Sequence, residues 1–260
     1  MSNENVQVPA GKPRRKESWT EIVKTIAFAL LIAGGIRTAA AQPLNIPSES
    51  MEGTLLVGDY LFVSKPSYGY SRYSLPWGYL LPLPEGRILA SEPKRGDVIV
   101  FKTPQDNKTD YIKRLIGMPG DRIQMKEGIL FINGEPVPKV PVEPFTENTG
   151  GFPHEVPQYR ETLPNGVSYN VLDLHAHGAL DDTDVFVVPA GHFFMMGDNR
   201  DNSLDSRVPV EEGGVGYVPF ENLVGQAEVL FFSVDDTTHF WEVWKWPSAI
   251  RYTRLGHLID

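Results

Sequence analysis

The stretch IPSESMEGTLLVGDYLFVSK, Ile46 to Lys65, joins two kinds of sequence. A hydrophobic segment precedes it. Its last eight residues, GDYLFVSK (Gly58–Lys65), are β-branched and aromatic-rich and read as a strand. Ser48 and Ser50 fall at the join. The strand pattern recurs downstream. GDVIVFK (Gly96–Lys102) also opens on Gly-Asp, and DRIQMKEGILFINGEPV (Asp121–Val137) alternates around Asn133-Gly134, a two-residue hairpin signal. TDVFVVPAGHFFMMGDN (Thr183–Asn199) and QAEVLFFSVD (Gln226–Asp235) add strands. No long helical periodicity follows the hydrophobic segment. Residues 140–182 are rich in Pro, Gly and Asn and predict loops and small hairpins, one of them at Asn165-Gly166. The expected class is mainly β.

Upstream, a basic cluster (Lys12, Arg14, Arg15, Lys16) precedes EIVKTIAFALLIAGGIRTAAAQPL. The uncharged run from Thr25 to Ile36 is short for a membrane span. Residues 22–41 reach the roughly 20 residues a bilayer needs only if Lys24 and Arg37 snorkel to the two surfaces. The basic cluster predicts the N-terminus inside and the rest of the chain outside. A cleavable signal sequence fits the same segment, because Ala39-Ala40-Ala41 follows a basic region and a short apolar core.

At 260 residues the chain can hold one large domain or two small ones, and its net charge of −9 argues against a nucleic-acid partner. The absence of cysteine removes disulfides, thiol catalysis and thiolate metal sites. The 24 glycines and 22 prolines suit many short strands and turns.

Three stretches could carry chemistry: the opening one, TDYIKRLIGMPGDRI (Thr109–Ile123) and GDNRDNSLDSR (Gly197–Arg207). Each alone reads more readily as ordinary structure: Ser48 and Ser50 as turn formers after Pro47, Lys113 as a strand lysine facing water, and the third stretch as a solvated polar loop. Asp201, Ser203, Asp205 and Glu212 fall at calcium-loop positions, but Ser206 stands where that loop needs glycine. His175 and His177 would share a face of a strand without a third ligand nearby.

Together the three stretches resemble the signature motifs of bacterial type I signal peptidases. The likeness is carried by Ser48-Glu49-Ser50-Met51 with Thr54-Leu55, by Tyr111-Ile112-Lys113-Arg114 with Gly117–Asp121, and by Gly197 to Arg207. Arg95-Gly96-Asp97-Val98 resembles a further, structural motif. The family usually has proline where this chain has Gly53.

The resemblance implies a membrane-anchored serine endopeptidase with a Ser/Lys dyad that removes signal peptides from exported proteins, without cofactor or metal. It implies the following organisation: a cytoplasmic tail over 1–21, a retained transmembrane anchor over 22–41, a catalytic β-domain over 43–121 and 189–260, and an inserted second β-region over 122–188. The site would lie on the outer face of the bacterial cytoplasmic membrane. Ser50 is then the nucleophile and Lys113 the base. The Ser50 N–H and the Ser48 hydroxyl hold the oxyanion, Ser203 orients the lysine, and Asp205 and Arg207 support that loop. Ile46, Pro47, Met51, Leu55 and Ile112 match positions lining shallow pockets for small residues. The uncharged segment Tyr73–Pro84 reads either as a buried loop or as a contact with membrane lipid. A Ser/Lys autoprotease of the self-cleaving repressor type would share the dyad but be soluble with a DNA-binding domain. A non-enzymatic membrane-tethered β-scaffold would need neither Ser50 nor Lys113.

A lysine serves as base only when neutral. At an ordinary pKa roughly one in 2,500 is neutral at pH 7, and burial lowers that pKa by up to about 3–5 units. Tyr111 and Leu115 share the face of Lys113 in an extended strand, with Ile112 and Ile116 adjacent. These are suitable walls for such burial.

Overall fold

The computed structural model describes residues 19–39, 41–75, 78, 86–149, 152–175, 177–235, 242 and 244–259. Contacts divide the chain into residues 1–37 and 38–260. Helix α1 (Trp19–Ala39) carries exposed apolar side chains along its length, among them Phe28, Leu30 and Leu31. Among the described residues no helix is long and apolar enough to cross a membrane. The helix ends at Ala39, and Ala41 belongs to a strand. Most of Tyr73–Pro84, the expected lipid contact, lies outside the described residues.

The second unit is largely β. In chain order come β1 (Ala41–Asn45), β2 (Asp59–Ser64), β3 (Val98–Lys102) and β4 (Asp110–Gly117). Shorter strands follow: β5 (Arg122–Lys126), β6 (Ile129–Ile132), β7 (Glu135–Pro136), β8 (Lys139–Pro141), β9 (Phe145–Thr149), β10 (Phe152–Val156), β11 (Gln158–Thr162), β12 (Ser168–Leu172) and β13 (Phe186–Val187). The chain then forms β14 (His192–Met196), β15 (Val218–Pro219) and β16 (Leu223–Ser233), and ends near a four-residue helix, Trp246–Ala249.

One seven-stranded antiparallel sheet, ordered β1-β2-β16-β3-β4-β14-β15, takes strands from both ends of the unit. The strands between β4 and β14 form three smaller sheets: β13-β5-β6-β7, β12-β11-β8 and β10-β9. Asn133 and Gly134 both take positive φ at the β6–β7 turn, as their sequence predicts. Glu127 and Gly128 do the same between β5 and β6. The Asn165-Gly166 turn closes the β11–β12 hairpin, with Leu163 donating to the Val167 carbonyl at 2.8 Å.

The centre of the large sheet is covered on both faces. Along β3, Val98 and Val100 join a core with Ile46, Met51, Leu55 and Ile112. Ile99 and Phe101 join another with Leu115, Met195 and Leu223. This two-sided burial explains why VIVF is a continuous apolar run rather than an alternation. It also places β4, the strand carrying Lys113, in the driest part of the sheet.

Candidate active site

Ser50 lies in a single 3-10 turn, Glu49–Met51, just beyond β1. The turn continues into a tight bend in which Thr54 and Leu55 both donate to the Met51 carbonyl, at 3.1 and 2.8 Å. Gly53 shapes that bend. Its φ is +102°, and an added Cβ would stand 2.9 Å from the Asn170 carbonyl oxygen. Proline, fixed near −65°, cannot adopt this backbone, so the bend takes a form that proline at position 53 would exclude.

Lys113 enters from the middle of β4. Its Nζ stands 2.5 Å from the Ser50 Oγ. The side chain is buried and passes over the Tyr111 ring, 5.6 Å from its centroid. Burial lowers the lysine pKa to about 8. Asp205 and Asp198 pull the other way, and Arg207 adds to the lowering. A buried amine beside a serine hydroxyl is the arrangement that lets lysine take a proton near neutral pH.

The Gly197–Arg207 segment wraps the pair. Asn199 donates its N–H to the Ser50 carbonyl at 3.2 Å. Gly197 permits this closeness: an added Cβ would stand 2.4 Å from the Ser50 carbonyl oxygen and 2.3 Å from the Ser203 Oγ. Asp205 accepts the Gly197 N–H at 3.0 Å and pairs with Arg207 at 2.9 Å, both buried. Burial alone would raise the Asp205 carboxyl; Arg207 overrides it and holds the pKa below the carboxylate range. The expected Asp205–Arg207 ion pair is therefore present. With its oxygens so engaged, Asp205 is no member of a calcium loop.

A buried pair that the sequence reading did not single out completes the frame. Arg114 binds Asp198 through Nε at 3.0 Å and Nη2 at 2.8 Å. Asp198 also accepts from the Thr54 hydroxyl at 2.6 Å. The residue after the base is thus tied, through one carboxylate, to the bend after the nucleophile.

Ser50, Lys113, Ser48, Ser203, Pro47 and Ile112 line one cavity of about 820 Å³. The Ser48 and Ser50 hydroxyls are 3.4 Å apart. Two expectations take a different form. The Ser203 hydroxyl is buried without a hydrogen-bond partner, and the lysine's hydrogen bond goes to Ser50. Ile46, Met51 and Leu55 sit in the core with Ile112, and of these four only Ile112 lines the cavity. Pocket walls and core are both apolar, so residue type could not separate them.

Among the described residues one carboxylate group could hold a cation: Asp173, Asp181 and Asp201, whose ligand oxygens lie within 4.8 Å of one another. Lys139 already bonds Asp173, and Asp201 accepts the N–H groups of Leu174 and His175 at 2.7 and 2.9 Å. His175 and His177 do not belong to that group.

The family model described as signal peptidase, peptidase S26, matches residues 19–232. A signal peptidase I of Rickettsia akari is 40% identical over 239 residues, covering 90% of this chain and 85% of the relative. That of Rickettsia canadensis is 43% identical over 220 residues, 82% of this chain and 80% of the relative. A crystal structure of a signal peptidase I from Enterococcus faecalis aligns with 24% identity and a TM-score of 0.30, covering 52% of this chain and 97% of that one.

Proposed function

The chain belongs to the signal peptidase family, peptidase S26, and from that premise we propose that it is a membrane-anchored endopeptidase that removes signal peptides through a Ser50–Lys113 dyad. The observation that carries the reading is the 2.5 Å approach of the buried Lys113 amine to the Ser50 hydroxyl.

In this reading neutral Lys113 accepts the Ser50 proton as Oγ attacks the scissile carbonyl carbon. The Ser50 N–H and the Ser48 hydroxyl hold the resulting oxyanion, each donor contributing roughly 3–4 kcal/mol. The tetrahedral species collapses, the C–N bond breaks, and the Lys113 ammonium protonates the leaving amine. Water then attacks the Ser50 ester with Lys113 again accepting the proton; the C–Oγ bond breaks, the Lys113 ammonium returns the proton to the Ser50 Oγ, and the signal peptide leaves with a free carboxylate. Ser203 stands in the cavity wall where it can orient the ammonium that forms between these steps. Pro47 and Ile112 offer apolar wall for small side chains before the cut, as in Ala-x-Ala.

Residues 22–41 act as the anchor, with the N-terminus inside and the catalytic unit on the outer face of the cytoplasmic membrane. The exposed apolar side chains of α1 support this, since water is a poor solvent for Leu31 at 73% exposure. The uncharged, aromatic composition of Tyr73–Pro84 supports an added contact with the lipid surface. Recovering Gln42 as the N-terminus of most of the cellular protein would overturn the retained anchor.

The direct test is incubation of the purified full-length protein in detergent with an exported preprotein, the cut being located by mass spectrometry. Cleavage after a small residue at the signal junction, lost in Ser50→Ala, is the expected result. Cleavage that survives Ser50→Ala in a folded protein would rule out the dyad.

A further inference from the structure

The Gly197–Arg207 segment buries a second arginine, and this one is held from the inserted strands. Arg200, 2% exposed, forks onto Glu161 of β11, Nη1 to Oε1 at 2.7 Å and Nη2 to Oε2 at 2.5 Å. Glu161 is fully buried and also accepts the Tyr169 hydroxyl at 2.9 Å. Tyr169, in β12, lies beneath Arg114, whose guanidinium carbon is 4.0 Å from the ring centroid. The backbone is tied at the same place. Leu172 donates to the Asp198 carbonyl at 2.9 Å, and Arg200 donates to the Leu172 carbonyl at 2.9 Å. The Arg200 carbonyl in turn accepts from Arg207 at 2.7 Å.

Glu161 therefore grips the middle of the segment whose other members surround Lys113. A buried ion pair is a weak source of stability, because the cost of desolvating both charges is comparable to their attraction. The consequence of this one lies in where it holds Arg200 and in what it does to that residue's charge. Ser50, the Tyr111 ring, Asp198, Asp205 and Arg207 face or act on Lys113, and Arg114 follows it in β4. Asp198 acts on both Lys113 and Arg200.

We propose that Glu161, braced by Tyr169, is a positioning residue for the dyad. Its bidentate bond to Arg200 fixes the 197–203 segment against the nucleophile's turn and keeps Arg200 from competing with Lys113 for Asp198. This rests on the Ser50–Lys113 reading of the site.

The test is the pH profile of kcat/KM for precursor cleavage by the full-length protein and its variants, with folding checked by thermal melting. Glu161→Gln keeps the shape but leaves Arg200 without its carboxylate. Unpaired, Arg200 draws on Asp198, the carboxylate that also favours the Lys113 ammonium, so the midpoint of the profile moves to lower pH. kcat falls roughly ten- to a hundredfold as the segment loses its register. In Glu161→Gln with Arg200→Gln no unpaired charge remains; the midpoint returns to the wild-type value while kcat stays low. A merely structural role would lower the folded fraction and leave the midpoint in place. A folded Glu161→Gln protein with the wild-type midpoint overturns the proposal. Should that variant fail to fold, Tyr169→Phe decides, since it deletes only the hydroxyl that braces Glu161. The expected result there is a several-fold loss of kcat, and an unchanged kcat overturns the proposal. If the wild-type profile is itself insensitive to Ser50→Ala or Lys113→Arg, the dyad reading has failed rather than this one.

Discussion

The Asn199 N–H donates to the Ser50 carbonyl at 3.2 Å, joining the third motif to the nucleophile's own peptide group. The hydroxyl of Ser50 meets Lys113 while its carbonyl meets Asn199, so two motifs far apart in sequence fix both ends of one residue. The closeness depends on Gly197, which leaves the gap that the Ser50 carbonyl and the Ser203 hydroxyl occupy.

Gly197→Ala should therefore damage the reaction from outside the dyad. A methyl group 2.4 Å from the Ser50 carbonyl oxygen must displace backbone rather than a flexible side chain. A shift of about 1 Å in the nucleophile costs roughly a hundredfold in rate. Single-turnover cleavage by the folded variant checks this, and a rate within about threefold of wild type would contradict the geometry.

Ser50→Ala should abolish cleavage in a protein that still folds, with a loss of stability of no more than about 1–3 kcal/mol from the buried Lys113 amine left without its hydroxyl partner. Ser48→Ala should leave residual activity, with kcat lowered about 10²–10³-fold as for one lost oxyanion donor. A Ser48→Ala enzyme with wild-type kcat would remove Ser48 from the oxyanion site.

Asp198→Asn tests the pair that the sequence reading passed over. It takes the carboxylate from a fully buried Arg114, a change that typically costs about 3–5 kcal/mol. A loss of unfolding free energy of that size, read from denaturant titration, is the expected result. Asp198 also favours the Lys113 ammonium, so the pH midpoint of any residual activity should fall. A variant as stable as wild type would mean that Arg114 is satisfied without Asp198.

How far the sequence revealed this arrangement depended on how local each signal is. The strands around Leu61, Val100 and Leu130 carry their patterns within a few residues, and the Asn133-Gly134 turn does the same. The Asp205–Arg207 pair lies within one compact motif, whereas the stretches carrying Ser50 and Lys113 stood out only when taken together. Glu161 was not legible: it lies 39 residues from Arg200, in a stretch with no strong pattern, and only the β11–β12 register brings the two together. Arg114 went unread for a similar reason, since Asp198 is 84 residues away.

Lys113 should show two opposite consequences of its burial. Its pKa is lowered from the ordinary 10.5 to about 8 in the folded protein. Only the neutral amine accepts the Ser50 proton, so kcat/KM should rise with pH through a midpoint near that value. Lys113→Arg should fail despite its charge, because guanidinium does not lose a proton in proteins. Between the folded and unfolded pKa values the unfolded chain holds the extra proton, so stability should rise with pH through this window. Below about pH 8 both states are protonated, and burying the ammonium costs on the order of 3 kcal/mol. Lys113→Met removes that cost while filling the same space. It should therefore melt several degrees higher than wild type at about pH 7 and be inactive. The comparison requires thermal melts of both proteins at about pH 7 and about pH 9.5, where the difference should shrink. A methionine variant less stable than wild type at the lower pH would mean that Lys113 is a satisfied structural cation, and its role as base would have to be abandoned.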